Sequence, residues 1–130
     1  MCREPARGTR RPEGPGFALL LIVEDDKDLR DLYEEILKEA GHEVRAVETA
    51  TAAIAALAGA PAVVLVDLGI EGGARPIVEA MHRGGGRAKL LIVSGVRDIA
   101  EQAEAVGAAG WLRKPFGAEE LAEAVAAHLA

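Results

Sequence analysis

The chain has 130 residues, enough for one domain that closes its own core without staples and too few for a second. Half the residues are apolar but only 3% are aromatic, so the core has to be built from Ala, Val, Leu and Ile, and the single Cys2 excludes an intrachain disulfide. Residues 1–16 carry a formal +2 (Arg3, Arg7, Arg10 and Arg11 against Glu4 and Glu13), which leaves −8 on the rest of a chain whose total is −6, and so acidic a body argues against direct nucleic-acid binding.

No apolar run reaches the length of a membrane span, and the start lacks the apolar block of a signal peptide. The sequence therefore reads as a soluble, cytoplasmic protein with no membrane contact. Residues 1–16, rich in Pro, Gly and Arg, have no apolar periodicity and read as a disordered basic leader, with the folded domain over 17–130. Phe17 to Val23 is a first buried strand, followed at once by Glu24-Asp25-Asp26. A helix is expected from Lys27 to Ala40, with Leu29, Leu32, Ile36 and Leu37 on its inner face and Gly41 as its stop. His42 to Val47 is a short second strand, and Thr49 caps an Ala-rich helix carrying Ile54 and Leu57.

Pro61 then leads into Ala62-Val63-Val64-Leu65-Val66-Asp67, a run apolar enough to be buried on both faces, as central parallel strands are. A Gly-containing loop, Gly69 to Gly73, precedes a short helix over Arg75 to Arg83, which Gly84-Gly85-Gly86 breaks. Ala88 to Val93 is a fourth strand ending at Ser94-Gly95, Arg97 to Val106 a fourth helix, and Ala108 to Leu112 a fifth strand. After Arg113-Lys114-Pro115-Phe116 the last helix places Leu121, Val125, His128 and Leu129 on one face. Five βα units in strict alternation give an α/β fold, a doubly wound parallel sheet between two layers of helices.

In such a sheet, ligand sites lie at the carboxyl ends of the strands. That edge gathers Glu24, Asp25, Asp67, Ser94 and Lys114. Singly, each has a plain structural explanation. Asp67 could open a turn, acids suit a helix start, and Lys114 could be a surface lysine. Together they pose an electrostatic problem, because two carboxylates about 4–5 Å apart repel by roughly 3–4 kcal/mol at an effective dielectric near 20. A hard divalent cation held by few protein ligands, Mg2+, relieves it. Cys2, His42, His82 and His128 are dispersed and lack the ligand spacing of structural zinc. Next to such a cation Asp67 is a nucleophile for a phosphoryl group, with the Lys114 ammonium and the Ser94 hydroxyl as its stabilisers. Gly84 to Gly86 is a connector, because no Lys-Ser/Thr follows as a phosphate loop requires, and His128 is a helix-end residue.

The segments Leu20-Leu21-Ile22-Val23-Glu24-Asp25-Asp26, Val63-Val64-Leu65-Val66-Asp67, Leu91-Ile92-Val93-Ser94-Gly95 and Trp111-Leu112-Arg113-Lys114-Pro115-Phe116 resemble, in order and spacing, the receiver domain of two-component response regulators. The resemblance covers residues 17–129 and implies a flavodoxin-like sheet of strand order 2-1-3-4-5. It implies that Asp67 is the phosphoacceptor and Lys114 the phosphate-binding lysine, followed by a cis peptide to Pro115. Asp25 would bind Mg2+ directly, Glu24 mainly through a water, and Asp67 and the Gly69 carbonyl would complete the site. Ser94 and Trp111 would be the switch pair. Such a protein is a signalling phosphoprotein and no enzyme beyond Mg2+-dependent self-phosphorylation and autodephosphorylation. Its partners would be a histidine kinase or phosphotransfer protein, a downstream protein at the face of helix 4, strand 5 and helix 5, and possible second copies in a homodimer.

Three departures from the family pattern stand out. The loop after Asp67 lacks the usual proline, Gly69 replaces a larger side chain, and Trp111 is larger than the usual Tyr or Phe. They suggest a mobile loop and an altered switch, and they support a second reading, a degenerate receiver that dimerises or docks whatever its phosphorylation state. A phosphatase with an Asp nucleophile is a third reading. Those enzymes place a second Asp two residues on, where this chain has Gly69.

Overall fold

The computed structural model describes residues 19–85 and 87–129. The leader expected over residues 1–16, with Cys2, and the first two residues of the expected first strand lie outside the described residues. Five strands alternate with five helices: β1 Leu19–Val23, α1 Lys27–Glu39, β2 Glu43–Val47, α2 Ala50–Ala56, β3 Val63–Asp67, α3 Arg75–Arg83, β4 Lys89–Ser94, α4 Ile99–Ala105, β5 Gly110–Arg113 and α5 Ala118–Ala127. A single 3-10 turn, Leu57–Gly59, follows α2. All the strands are parallel, in the order β2-β1-β3-β4-β5. This is the flavodoxin-like arrangement that the residue pattern implied.

The apolar strands need cover on both faces because alternate side chains leave opposite sides of the sheet. Leu21, Val23, Val64, Val66 and Ile92 pack with Ile77 and Met81 of α3 and Ile99 of α4. Their neighbours Leu20, Ile22, Val63, Leu65, Leu91 and Val93 pack on the other side with Leu37 of α1 and Leu121 and Val125 of α5. Each fully buried Leu, Ile or Val contributes about 1.5–3 kcal/mol relative to an exposed one, so these two half-cores dominate the folding energy.

The inner face of α1 differs from the expected one. Leu32 is 48% exposed, and Tyr33 is buried with Leu37 instead. A step of 100° per residue puts Tyr33 between Leu29 and Leu37, whereas Leu32 falls on the rim. Tyr33 is held there by its stack on Phe116, with ring centroids 5.3 Å apart.

Four strands, β2 to β5, start later than expected, and β2 and β5 do so for a shared reason. Gly41 (φ 102°) and Gly107 (φ 75°) take the left-handed conformation that ends α1 and α4. The next residue of each chain closes the cap, with His42 N–H donating to the Leu37 carbonyl at 3.1 Å and Ala108 N–H to Ala103 at 2.9 Å. His42 and Ala108 are thus used by helix ends, and the ladders begin after them. The fourth helix is also shorter than expected, starting at Ile99 after Asp98. The Arg97 carbonyl instead accepts a 2.9 Å hydrogen bond from the Arg113 guanidinium on β5.

Candidate functional site

Strand register aligns the carboxyl ends of the central strands. Val23 pairs with Val66, Asp67 with Val93, and Ser94 with Arg113. The residue after β1, the last of β3 and the first after β5 are therefore neighbours, although Lys114 is 90 positions from Glu24 in the chain. One carboxylate oxygen from each of Glu24, Asp25 and Asp67 lies within 4.8 Å of the others, a grouping able to hold a metal ion. Lys114 Nζ reaches into it, 2.7 Å from Asp67 Oδ2 and 3.1 Å from Glu24 Oε1. The Lys114–Pro115 peptide is cis, as the resemblance implied.

The corner is short of positive charge, with three carboxylates facing one ammonium. Glu24 is only 2% exposed. Burial, aided by the neighbouring Asp67, pushes its carboxyl up to about 7 against the pull of the Asp26 amide and Lys114. Burial also acts on Asp67, but the Gly69 amide, Lys114 and Glu24 outweigh it and hold Asp67 below the usual carboxylate range. For Lys114 burial opposes the charge, yet its hydrogen bonds to Asp67 and Glu24 keep the ammonium above its ordinary value. Asp67 is thus the carboxylate kept ionised, and Glu24 the one that takes up the excess proton. An all-oxygen set with this much negative charge fits a hard divalent cation.

Asp67 is held at both oxygens. Oδ2 accepts from Lys114, and Oδ1 accepts from Gly69 N–H at 2.8 Å. The loop that follows is tied at several points. Ile70 is buried, Gly73 N–H donates to the Ile70 carbonyl at 3.1 Å, and Glu71 forms a parallel bridge with Thr49. Ser94 is buried at the end of β4, and its hydroxyl accepts from Val96 N–H at 3.2 Å while its carbonyl accepts from Lys114 N–H at 2.8 Å. Gly95 lies against Lys114, so that even a Cβ there would stand 3.8 Å from Lys114 Cβ. Trp111 does not join the acidic corner. It is 42% exposed on β5, with the Arg113 guanidinium 5.3 Å above its ring.

Two contributors escaped the reading of the residues. Arg30, one turn into α1, donates to the Glu24 carbonyl at 2.9 Å and so fixes the backbone that presents the acids. Tyr33 lies under the corner as a buried phenol pushed up to about 12 by burial, un-ionised at any physiological pH. Its aromatic ring, on a helix whose other apolar side chains are aliphatic, was the available signal. Asp26 is the N-cap of α1 and accepts from Leu29 N–H at 3.1 Å. His128 is likewise a helix end, the C-cap of α5.

Comparison with known proteins agrees with this geometry. The family described as the response regulator receiver domain matches residues 20–126. The chain belongs to the response regulator receiver family. It is 35% identical over 115 residues to the response regulator protein FleR of Pseudomonas aeruginosa, and 32% identical over 116 residues to the uncharacterized transcriptional regulatory protein YrkP of Bacillus subtilis. Both alignments take in 85% of this chain, but only 24% of FleR and 48% of YrkP. Among solved structures, the receiver domain of NtrX from Brucella abortus superposes with a TM-score of 0.77 at 30% identity, covering 85% of this chain and 97% of that one. Receiver domains are signalling modules of two-component systems and not enzymes in the ordinary sense. No described helix is long and apolar enough to cross a membrane.

Proposed function

We propose that this receiver accepts a phosphoryl group on Asp67 from the phosphohistidine of a histidine kinase or phosphotransfer protein, in the cytoplasm, and that residues 17–130 form the responding unit. The observation that carries the reading is the pair of contacts on Asp67: an ionised carboxylate at the sheet edge, clamped by Lys114 at 2.7 Å and by the Gly69 amide at 2.8 Å. An Asp67 oxygen attacks phosphorus and forms the O–P bond while the P–N bond to the donor imidazole breaks, its electrons leaving with that nitrogen. Lys114 moves with the incoming charge, from carboxylate oxygen to phosphoryl oxygen. Ser94 releases the Val96 amide, turns, and donates its hydroxyl to another phosphoryl oxygen.

Glu24, Asp25, Asp67 and the Gly69 carbonyl are the groups that would hold Mg2+. When bound, Mg2+ supplies the positive charge that keeps the carboxylates ionised and neutralises phosphoryl oxygens. Water later hydrolyses the acyl phosphate. Rotation of Ser94 draws on the loop that carries Val96 and Arg97, and through the Arg113 tie on β5. The face of α4, β5 and α5, where Trp111 is exposed, then changes for a downstream protein or a second copy of the chain.

Incubation with acetyl phosphate and Mg2+ is expected to add the mass of one phosphoryl group to the intact protein, and Asp67→Asn to abolish the gain. A wild-type protein left unmodified under those conditions contradicts the proposal. The docking-only reading predicts equal partner affinity with and without beryllofluoride, and the complete acidic corner speaks against it.

A further inference from the structure

The corner between β2 and α2 contributes no side chain to the acidic site, yet its backbone touches both halves of it. The Val47 carbonyl accepts from Glu24 N–H at 3.0 Å and fixes the residue that opens the acidic cluster. Two residues on, Thr49 pairs with Glu71 in the parallel bridge, and Ala50 N–H donates to the Glu71 carbonyl at 3.2 Å. Glu71 belongs to the loop whose first amide, that of Gly69, holds Asp67. One short stretch, Val47 to Ala50, thus ties the β1 end of the site to the β3 end.

Close approach at one point makes this tie possible. Gly72 has φ +93°, and a Cβ built there would lie 2.8 Å from Ala50 Cβ, a separation that carbon atoms do not tolerate. Ala50 is itself buried at the first turn of α2, whose cap is made by Thr49 Oγ accepting from Ala52 N–H at 3.1 Å. Neither side can yield without moving the cap or the loop. Gly73 is the natural contrast: its φ is +74°, but a Cβ there meets nothing within 4 Å. The two neighbours share the backbone demand and differ in the contact.

We infer that Gly72, seated on Ala50, is a positioning residue for the acidic site. By letting the β3–α3 loop lie against the β2–α2 corner, it sets where the Gly69 amide and carbonyl stand relative to Asp67. This deepens the proposed function and rests on it for its consequence, since a displaced Gly69 loosens the cation and leaves the acyl phosphate open to water.

The test compares Gly72→Ala, Gly73→Ala and the double variant Ala50→Gly/Gly72→Ala in the full chain. The first readout, taken without metal, is the exchange rate of the Gly69 amide by NMR; the second is Mg2+ affinity by calorimetry. Gly72→Ala is expected to speed Gly69 exchange and weaken Mg2+ binding by about tenfold, Gly73→Ala to change each by less than about threefold, and removal of the Ala50 methyl to restore most of the loss. Identical behaviour of Gly72→Ala and Gly73→Ala overturns the inference. Should Gly72→Ala not fold, the double variant decides: matching Gly73→Ala supports the contact, and remaining about tenfold weaker overturns it. A wild type that takes no phosphoryl group while Gly72→Ala still frees the Gly69 amide refutes the functional proposal and not the clamp. A phosphorylatable wild type whose Gly72→Ala variant matches Gly73→Ala refutes the clamp alone.

Discussion

Asp67 and Glu24 are both acids in one corner, and their surroundings drive them apart. The Gly69 amide and Lys114 hold Asp67 below the ordinary range, while burial raises Glu24 to about 7 from an ordinary 4.5. The raised value has a definite sign in stability. Between about pH 4.5 and 7 the folded protein keeps a proton on Glu24 that the unfolded chain has lost, so metal-free stability falls as pH rises through that window. Removing the ionisable group should remove that part of the slope. In urea unfolding without metal, Glu24→Gln is expected to lose roughly 1–3 kcal/mol less than wild type on going from pH 5 to 7.5. Parallel profiles for the two proteins would show that Glu24 is not the group held protonated. Asp67 titrates below this window, and the buried His42, lowered by burial, contributes equally to both proteins. The identity of the acids was readable from the chain. Their division of labour was not, because it depends on which one the fold places out of reach of water.

Helix α1 shows where a sequence pattern stops being informative. Leu29, Leu32, Ile36 and Leu37 suggest an inner face, but four aliphatic residues over nine positions fit more than one stripe. Packing of Phe116, from the far end of the chain, selects the stripe that contains Tyr33. Two substitutions separate these faces. Leu37→Ala should cost about 2–5 kcal/mol, as expected for emptying a fully buried site, whereas Leu32→Ala should cost less than about 1 kcal/mol. Denaturant midpoints measure both, and comparable losses would place Leu32 back in the core. Element types were legible because apolar runs and helical stripes differ in period. Several ends were not, and His42 and Ala108 show why: each reads as the first residue of a strand but closes the helix before it. The short fourth helix has a tertiary origin, since the carbonyl of Arg97 is taken by Arg113 from another strand.

For the molecule as a whole, the parallel sheet makes chemistry from residues that sequence keeps far apart. Strand order 2-1-3-4-5 brings the ends of β1, β3 and β5 to one edge, where Glu24, Asp25, Asp67 and Lys114 meet. The rest of the sheet hides Leu, Ile and Val on both faces and carries that edge. The matched segments revealed this arrangement in the chain, whereas the tie from Gly72 to Ala50 depends on a contact between two loops that no spacing announces. Phosphorylation would add nearly two negative charges to a corner already rich in carboxylates, which is why its consequences should travel. The central claim is that the phosphoryl group goes to one particular oxygen-bearing side chain. It can be read by treating the protein with acetyl phosphate and Mg2+, reducing the acyl phosphate with borohydride, and sequencing the peptides by mass spectrometry. The account predicts homoserine at position 67 and at no other carboxylate; reduction at Asp25 or Glu24 instead, or none anywhere, would contradict it.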